Sequence, residues 1–468
     1  MTLDGLPLRI LTVMLAIGCL LGLAHLACVI GFHVPFDPNE GWNAYFTLSL
    51  FATGSPYPPA AGLMVNNYPP LSFYVVGAVT RLVGDAVIAG RIVALAALFA
   101  AAIGIESAAR QMGCSRLQAL FAALFFVAGL MLATDYVGMD DPQMLGHALS
   151  IGGLVLVLRE PRTPRAMVGA ALLFTLAFFV KHNLIVLPAA LALWLALLDR
   201  RLAFTFVASG AVFALIGLGL FKQAFGFSLF SRIDSARLYD VANIWTGAKP
   251  WLAWSAFPIT GYTALFVIAR HDRHVVFCAI YAALATAAGL FFLGGTGVDA
   301  NALFDADIAL ALGAGVLMNR LEFDRRQALA VLLYALPPLV GLWTLDADWR
   351  GTDFWFHPLT EERAAAADEI ALIRAAPGPT ICEMLSLCYW AGKPAQVDVF
   401  NVEQAYRTGG RSDEDLARAI AAKRYGIVQL EELTPFPLTS RIEHALKANY
   451  RIVRTDDDRV FFAPNRAP

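Results

Sequence analysis

The chain repeats one pattern along most of its length: a stretch of 15–25 apolar residues, then a short polar connector. About 20 such residues are needed to cross a bilayer as a helix, and a helix apolar on every side has to be buried or sit in lipid. Composition supports lipid, because 58% of residues are hydrophobic and only 15% charged, against about 45–50% and 25% in soluble domains. The sequence therefore reads as a polytopic α-helical membrane protein. With 35 basic and 37 acidic residues it offers no basic stripe for nucleic acid. Six scattered cysteines make no metal knuckle.

The first apolar run, Leu8 to Gly31, lacks a small-residue cleavage site and is expected to stay as an anchor. No Lys or Arg occurs between Arg9 and Arg81, so the positive-inside rule places residues 32–67 outside and the N-terminus in the cytoplasm. Further runs fall near 87–109, 117–134, 143–158, 166–180, 183–198, 202–222, 251–270, 275–293, 306–320 and 327–345, with basic connectors at 159–165, 199–201, 271–274 and 319–326 marking cytoplasmic loops. The stretch 68–83 is short, opens on Pro69-Pro70 and breaks the parity if it crosses, so it is expected to be a re-entrant or interfacial helix. About eleven transmembrane helices plus juxtamembrane helices result, in a domain over 1–345. From 346 to 468 the composition changes. Alternating strands near 380–384, 426–430, 451–454 and 460–462, with helical patterns at 361–375, 413–423 and 439–448, predict a small external α/β domain without a glycine-rich phosphate loop.

Ionisable residues at membrane depth cost about 2.5–3.5 kcal/mol on insertion scales and are usually kept for a function. Two acidic groups face the outer compartment: Asp37 and Glu40 in the first loop, then Asp135, Asp140 and Asp141 in the second. Each alone could cap a helix; a shared cavity explains their coincidence better. By the same parity Lys181 and His182 lie at an external hairpin, although a lone lysine there is often a snorkelling anchor. Arg232, Arg237 and Lys249 fall in the next external loop, where a solvated face is the competing reading. Trp245, Trp251 and Trp254 fit an interfacial belt better than a sugar platform. His147, inside a span, fits an interhelical hydrogen bond better than a metal. Cys382 and Cys388 form either a disulfide or two buried thiols.

The acidic first loop ahead of a juxtamembrane helix, the Asn67-Tyr68-Pro69-Pro70-Leu71 start of the next element, the Asp-rich second loop and the Lys181 to Pro188 hairpin together resemble the integral-membrane type C glycosyltransferases, in particular the lipid A aminoarabinose transferase and protein O-mannosyltransferase group. The resemblance spans roughly the first 310 residues, through Asn301 and Asp305. One departure is that Asn39 stands where relatives often carry Asp beside Glu. The resemblance implies a hexosyl- or pentosyltransferase that moves a sugar from a polyprenyl-phosphate donor to an envelope acceptor (glycan, lipid or protein) with inversion. Catalytic residues would be Glu40 as the favoured base with Asp37, Asp140 and Asp141; donor phosphate would meet Lys181, His182, Arg232 and Arg237; the acceptor or sugar cavity would include Asn67, Tyr68, Asn301 and Asp305. It further implies a bacterial inner-membrane location with a periplasmic C-terminal domain. No cofactor is expected and no metal site is legible. The physics agrees: a sugar phosphate already has a good leaving group, so one carboxylate to deprotonate the acceptor hydroxyl is enough. The competing class is a transporter or flippase of a lipid-linked saccharide, which should place ionisable groups near the bilayer midplane.

Overall fold

A computed structural model describes residues 6–59, 61–132, 136–233, 237–321, 357–431, 433, 436–456 and 459–465. Thirteen helices precede residue 322 among them: α1 (Leu6–Val29), α2 (Pro38–Thr53), α3 (Leu71–Val83), α4 (Ala86–Gln111), α5 (Arg116–Leu132), α6 (Gln143–Leu158), α7 (Pro164–Val180), α8 (Val186–Leu198), α9 (Arg200–Phe225), the short α10 (Phe230–Ile233), α11 (Val241–Ala269), α12 (Arg273–Leu293) and α13 (Phe304–Arg320). Polar residues at the connectors start them. Asp85, Thr163, Asp199, Asp240 and Asp272 each accept from a backbone amide in the first turn, satisfying donors that have no partner within the helix.

Every apolar run read from the sequence up to 306–320 is a helix; the run 327–345 lies outside the described residues. The stretch expected to be re-entrant or interfacial contains α3, whose 13 residues reach only about 20 Å at 1.5 Å per residue, short of the ~30 Å hydrocarbon core, as are the 13 residues of α8. Helix α13 sits at the centre of the bundle, with Phe304 through Met318 buried. Helices α1 and α9 lie at its edge and leave Leu20, Phe204 and Leu215 about 70% exposed. Such continuous apolar surface is tolerated against lipid, not water.

Beyond the bundle stand α14 (Thr360–Ala375), β1 (Thr380–Cys382), α15 (Leu385–Trp390), α16 (Val399–Arg407), α17 (Glu414–Ala421), β2 (Ile427–Leu430), α18 (Ser440–Asn449), β3 (Tyr450–Asp456) and β4 (Arg459–Pro464). The sheet order is β1-β2-β4-β3, with β1 parallel to β2 and the other pairs antiparallel. A parallel pair needs a crossover, supplied here by α15, α16 and α17; the first two of these were not anticipated from sequence. Cys382 and Cys388 are joined as a disulfide, which decides between the two readings left open above.

This α/β unit is docked on the loops and juxtamembrane helices. Gly41 of α2 meets α15 so closely that a Cβ there would fall 2.0 Å from the Ser386 nitrogen. Trp42 donates to Asp398 at 3.0 Å, the Asp398 amide donates to the Leu63 carbonyl at 2.9 Å, and Trp390 donates to Asp85 at 3.0 Å. Arg411 donates to the Gly62 and Ala61 carbonyls at 2.5 and 2.6 Å.

Candidate active site

The first loop is organised by an ion pair that sequence reading missed. Arg91, in the second turn of α4, reaches Glu40 through Nε to Oε1 at 2.7 Å and Nη2 to Oε2 at 2.6 Å. The amides of Phe36 and Asp140 donate to Glu40 at 3.0 and 3.2 Å. A carboxylate has about four acceptor sites, and all are used. Both side chains are fully buried. Arg91 also donates to the carbonyls of Ile30, Phe32 and Val34 and lies 3.7 Å from the Phe36 ring centroid. The first loop, the second loop and α4 are thus tied at one point. An arginine near the start of an apolar span was the available signal.

Asp37 is placed differently. Its Oδ1 accepts from the Asn39 amide at 2.7 Å and caps α2, yet the residue is only half-buried. Burial raises its carboxyl to about 6; the Asn39 amide opposes this, and the Asp141 and Glu40 charges add to it. Buried Asp141 holds buried Lys181 at 3.1 and 3.2 Å and accepts from the Gln143 amide at the start of α6 at 2.7 Å. Lys181 lies 5.1 Å from the Tyr68 ring centroid. Burial raises the Tyr136 phenol, with the Asp141, Asp299 and Asp37 charges adding in turn.

Asp140 packs against α4 and borders one small cavity together with Asp141. Its backbone carbonyl accepts from Asn43 at 2.7 Å, and its carboxyl lies where a Cβ on Gly90 would come within 1.9 Å, so only glycine fits at that position of α4. It faces an enclosed cavity of about 10 Å³ with Asn43, Thr47 and Ser72. Burial first, then the Glu40 and Asp141 charges, raises its pKa well above the usual carboxylate range.

The expected phosphate ligands divide. His182 is lowered to about 4 by burial, with Lys181 and Arg237 adding, so it is neutral near pH 7 and supplies hydrogen bonds rather than charge. Arg237 lies 5.4 Å from the Phe400 ring centroid on α16, and the adjacent Leu238 amide donates to Gln404 at 3.0 Å, so the α/β domain reaches the rim of the site. Arg232 stands on α10; its side chain, like Asp135, lies outside the described residues. Lys249 is in the exposed part of α11.

Among the expected cavity residues, Asn67 is buried and Tyr68 packs edge-on against Trp42 with ring centroids 4.8 Å apart. Asn301 lies in a 3-10 turn, Ala300–Leu303. Asp305 accepts from Tyr281 at 2.6 Å within the bundle, which ties α12 to α13. The neighbouring Asp307 accepts from Trp251 at 2.6 Å, giving that tryptophan a structural partner inside the protein. His147 contacts Gln143 of its own helix at 2.8 Å. Among the described residues no three His, Cys, Asp or Glu side chains converge as metal ligands would.

The geometry has counterparts among known proteins. Residues 67–221 match the family model for dolichyl-phosphate-mannose-protein mannosyltransferase. No curated protein sequence matches the chain. Its fold is similar to ArnT from Cupriavidus metallidurans bound to undecaprenyl phosphate, with a TM-score of 0.63 and 15% identity over 97% of this chain and 98% of that one. It is also similar to the oligosaccharyltransferase AglB from Archaeoglobus fulgidus in complex with an inhibitory peptide and a dolichol-phosphate, with a TM-score of 0.57 and 10% identity over 97% and 74% of the two chains. The family match and the shared fold together make this a multi-pass membrane protein with the fold of the integral-membrane type C glycosyltransferases.

Proposed function

We propose that the chain transfers a sugar from a polyprenyl-phosphate donor to an envelope acceptor, with inversion at the anomeric carbon and Asp37 as the base. The acceptor oxygen attacks the anomeric carbon as the bond to phosphate oxygen breaks. Asp37 takes the hydroxyl proton, and the polyprenyl phosphate leaves as an anion beside Lys181 and Arg237. The observation that carries this reading is the contrast within the first loop. Glu40 has every acceptor site filled and is sealed from solvent, whereas Asp37 is accessible and has a carboxyl raised to about 6. A general base works best with a pKa near the operating pH. Glu40, the base favoured by spacing, becomes the residue that positions the loop with Arg91.

Asp141 holds Lys181 charged and aimed, Tyr68 and Asn67 form part of the wall, and the α/β domain shapes acceptor access through Arg237 and α16. Undecaprenyl phosphate in the ArnT structure and dolichol-phosphate in the AglB structure support a lipid phosphate as the carrier. The Cys382–Cys388 disulfide supports an oxidising compartment such as the periplasm, on the outer face of a bacterial inner membrane. A flippase finds less support, because Asp305 and Asp307 stand in the first turn of α13 rather than mid-span.

The test is transfer of radiolabel from a polyprenyl-phosphate sugar to membrane extract by the reconstituted protein. Label on an acceptor that is lost in Asp37→Asn is expected; label translocated across the vesicle but never transferred would overturn the assignment.

A further inference from the structure

Away from the carboxylate cluster, the outer end of α1 and helix α14 enclose an open cavity of about 420 Å³ lined by Gly31, Phe32, His33, Arg363, Ala367, Ile370 and Arg374. Arg363, Ala367, Ile370 and Arg374 recur at spacings of four, three and four, so they share one face of α14. Small Ala367 leaves the room between the two arginines. The guanidinium of Arg363 lies 4.1 Å from the Phe32 ring centroid, and Arg374 donates to the Trp390 carbonyl at 2.9 Å. Neither arginine has a carboxylate partner among the described residues. Glu361, Glu362 and Asp368 lie on other faces of the helix. Asp85, beside the cavity residue His33, already accepts from Trp390 and lies 3.3 Å from His33.

We infer that this cavity binds the phosphate headgroup of an anionic lipid from the outer leaflet. Position supports it: α1 is an apolar span with exposed leucines facing outward, it ends at Val29, and the cavity opens two residues later, at headgroup level. The lining is amphipathic. Phe32, Ala367 and Ile370 present an apolar floor that suits a glycerol or acyl stem, while the two arginines stand about 16 Å apart along the helix, at 1.5 Å per residue. Two guanidiniums bring two positive charges to the cavity, which favours a headgroup with two phosphates over one with a single phosphate. Bound there, the lipid bridges α1 and α14 and holds the α/β domain on the bilayer surface. The site shares no residue with the proposed transfer centre, and the inference rests on the membrane topology rather than on transfer.

The experiment uses the full chain purified in detergent. Thermal unfolding and native mass spectrometry are followed on adding cardiolipin, phosphatidylglycerol, phosphatidylcholine or inorganic phosphate at equal phosphate concentration. Cardiolipin is expected to bind and raise the melting temperature most, phosphatidylglycerol less, and phosphatidylcholine and inorganic phosphate not at all. In R363Q/R374Q cardiolipin affinity should fall about 30-fold, since each basic residue at a lipid surface is worth about fivefold, while R363K/R374K should keep most of it. Equal lipid binding by wild type and R363Q/R374Q, or equal stabilisation by phosphatidylcholine, would overturn the site. Equal stabilisation by inorganic phosphate would overturn the lipid assignment in favour of a free anion. If the double variant does not fold, R363Q alone is compared with wild type by the same lipid count.

Discussion

Arg91 and Glu40 form a doubly hydrogen-bonded ion pair, 2.7 and 2.6 Å, with neither side chain exposed. Because Arg91 also grips three carbonyls of the loop that leads into Asp37, the position of the proposed base depends on a residue that never meets the substrate.

The first expectation separates cap from base. Asparagine caps a helix as well as aspartate does, so Asp37→Asn should fold, whereas losing a general base costs about 10²–10⁴-fold in rate. Size-exclusion chromatography and the transfer assay measure the two effects. Near-wild-type turnover would remove Asp37 from the mechanism.

Glu40→Gln should behave differently. Breaking a buried pair from one side leaves an uncompensated charge and costs about 3–5 kcal/mol. Lower expression and a lower melting temperature are expected, with Glu40→Leu combined with Arg91→Leu recovering part of the loss. A stable Glu40→Gln protein that merely lacks turnover would instead restore Glu40 as the base.

The pH profile follows from the raised Asp37 carboxyl. With the base ionised only above about 6, kcat/KM should rise with unit slope below that pH and level off above it. For stability the sign reverses: a carboxyl whose folded pKa is raised contributes most below its unfolded value and loses that contribution as pH climbs toward 6. An acid limb that is unchanged when another group replaces Asp37 as the base in rescue experiments would rule this out.

Domain docking can be probed at Trp42 and Asp398. A hydrogen bond to a charged group contributes about 1.5–3 kcal/mol, so Trp42→Phe should raise amide hydrogen exchange across residues 397–407 while the bundle keeps its protection. Unchanged exchange there would show that the contact is dispensable.

Topology is open to direct labelling. In a protein with Cys28 replaced, a cysteine at exposed Glu361 should react with an impermeant thiol reagent outside intact cells, and one at exposed Arg200 should not. The opposite pattern would invert the membrane orientation and with it the periplasmic assignment.

The sequence by itself determined the membrane class, the succession of apolar helices, the short α3 and the main strands of the tail, because hydropathy and periodicity are local properties that lipid and a sheet face read residue by residue. It also brought Asp37, Asp141 and Lys181 into one candidate set, since parity places their loops on one side. Tertiary structure alone decided which acid is sealed and which is open. Glu40 and Asp37 are three positions apart and chemically alike, and only the arrival of Arg91 from α4 and the Asp140 amide from the second loop makes one a structural anchor. The same holds for Asp140, buried against Gly90, and for Asp305, taken by Tyr281. These partners lie tens of residues away in sequence, and desolvation, which sets a carboxyl's charge, depends on packing that no local pattern encodes.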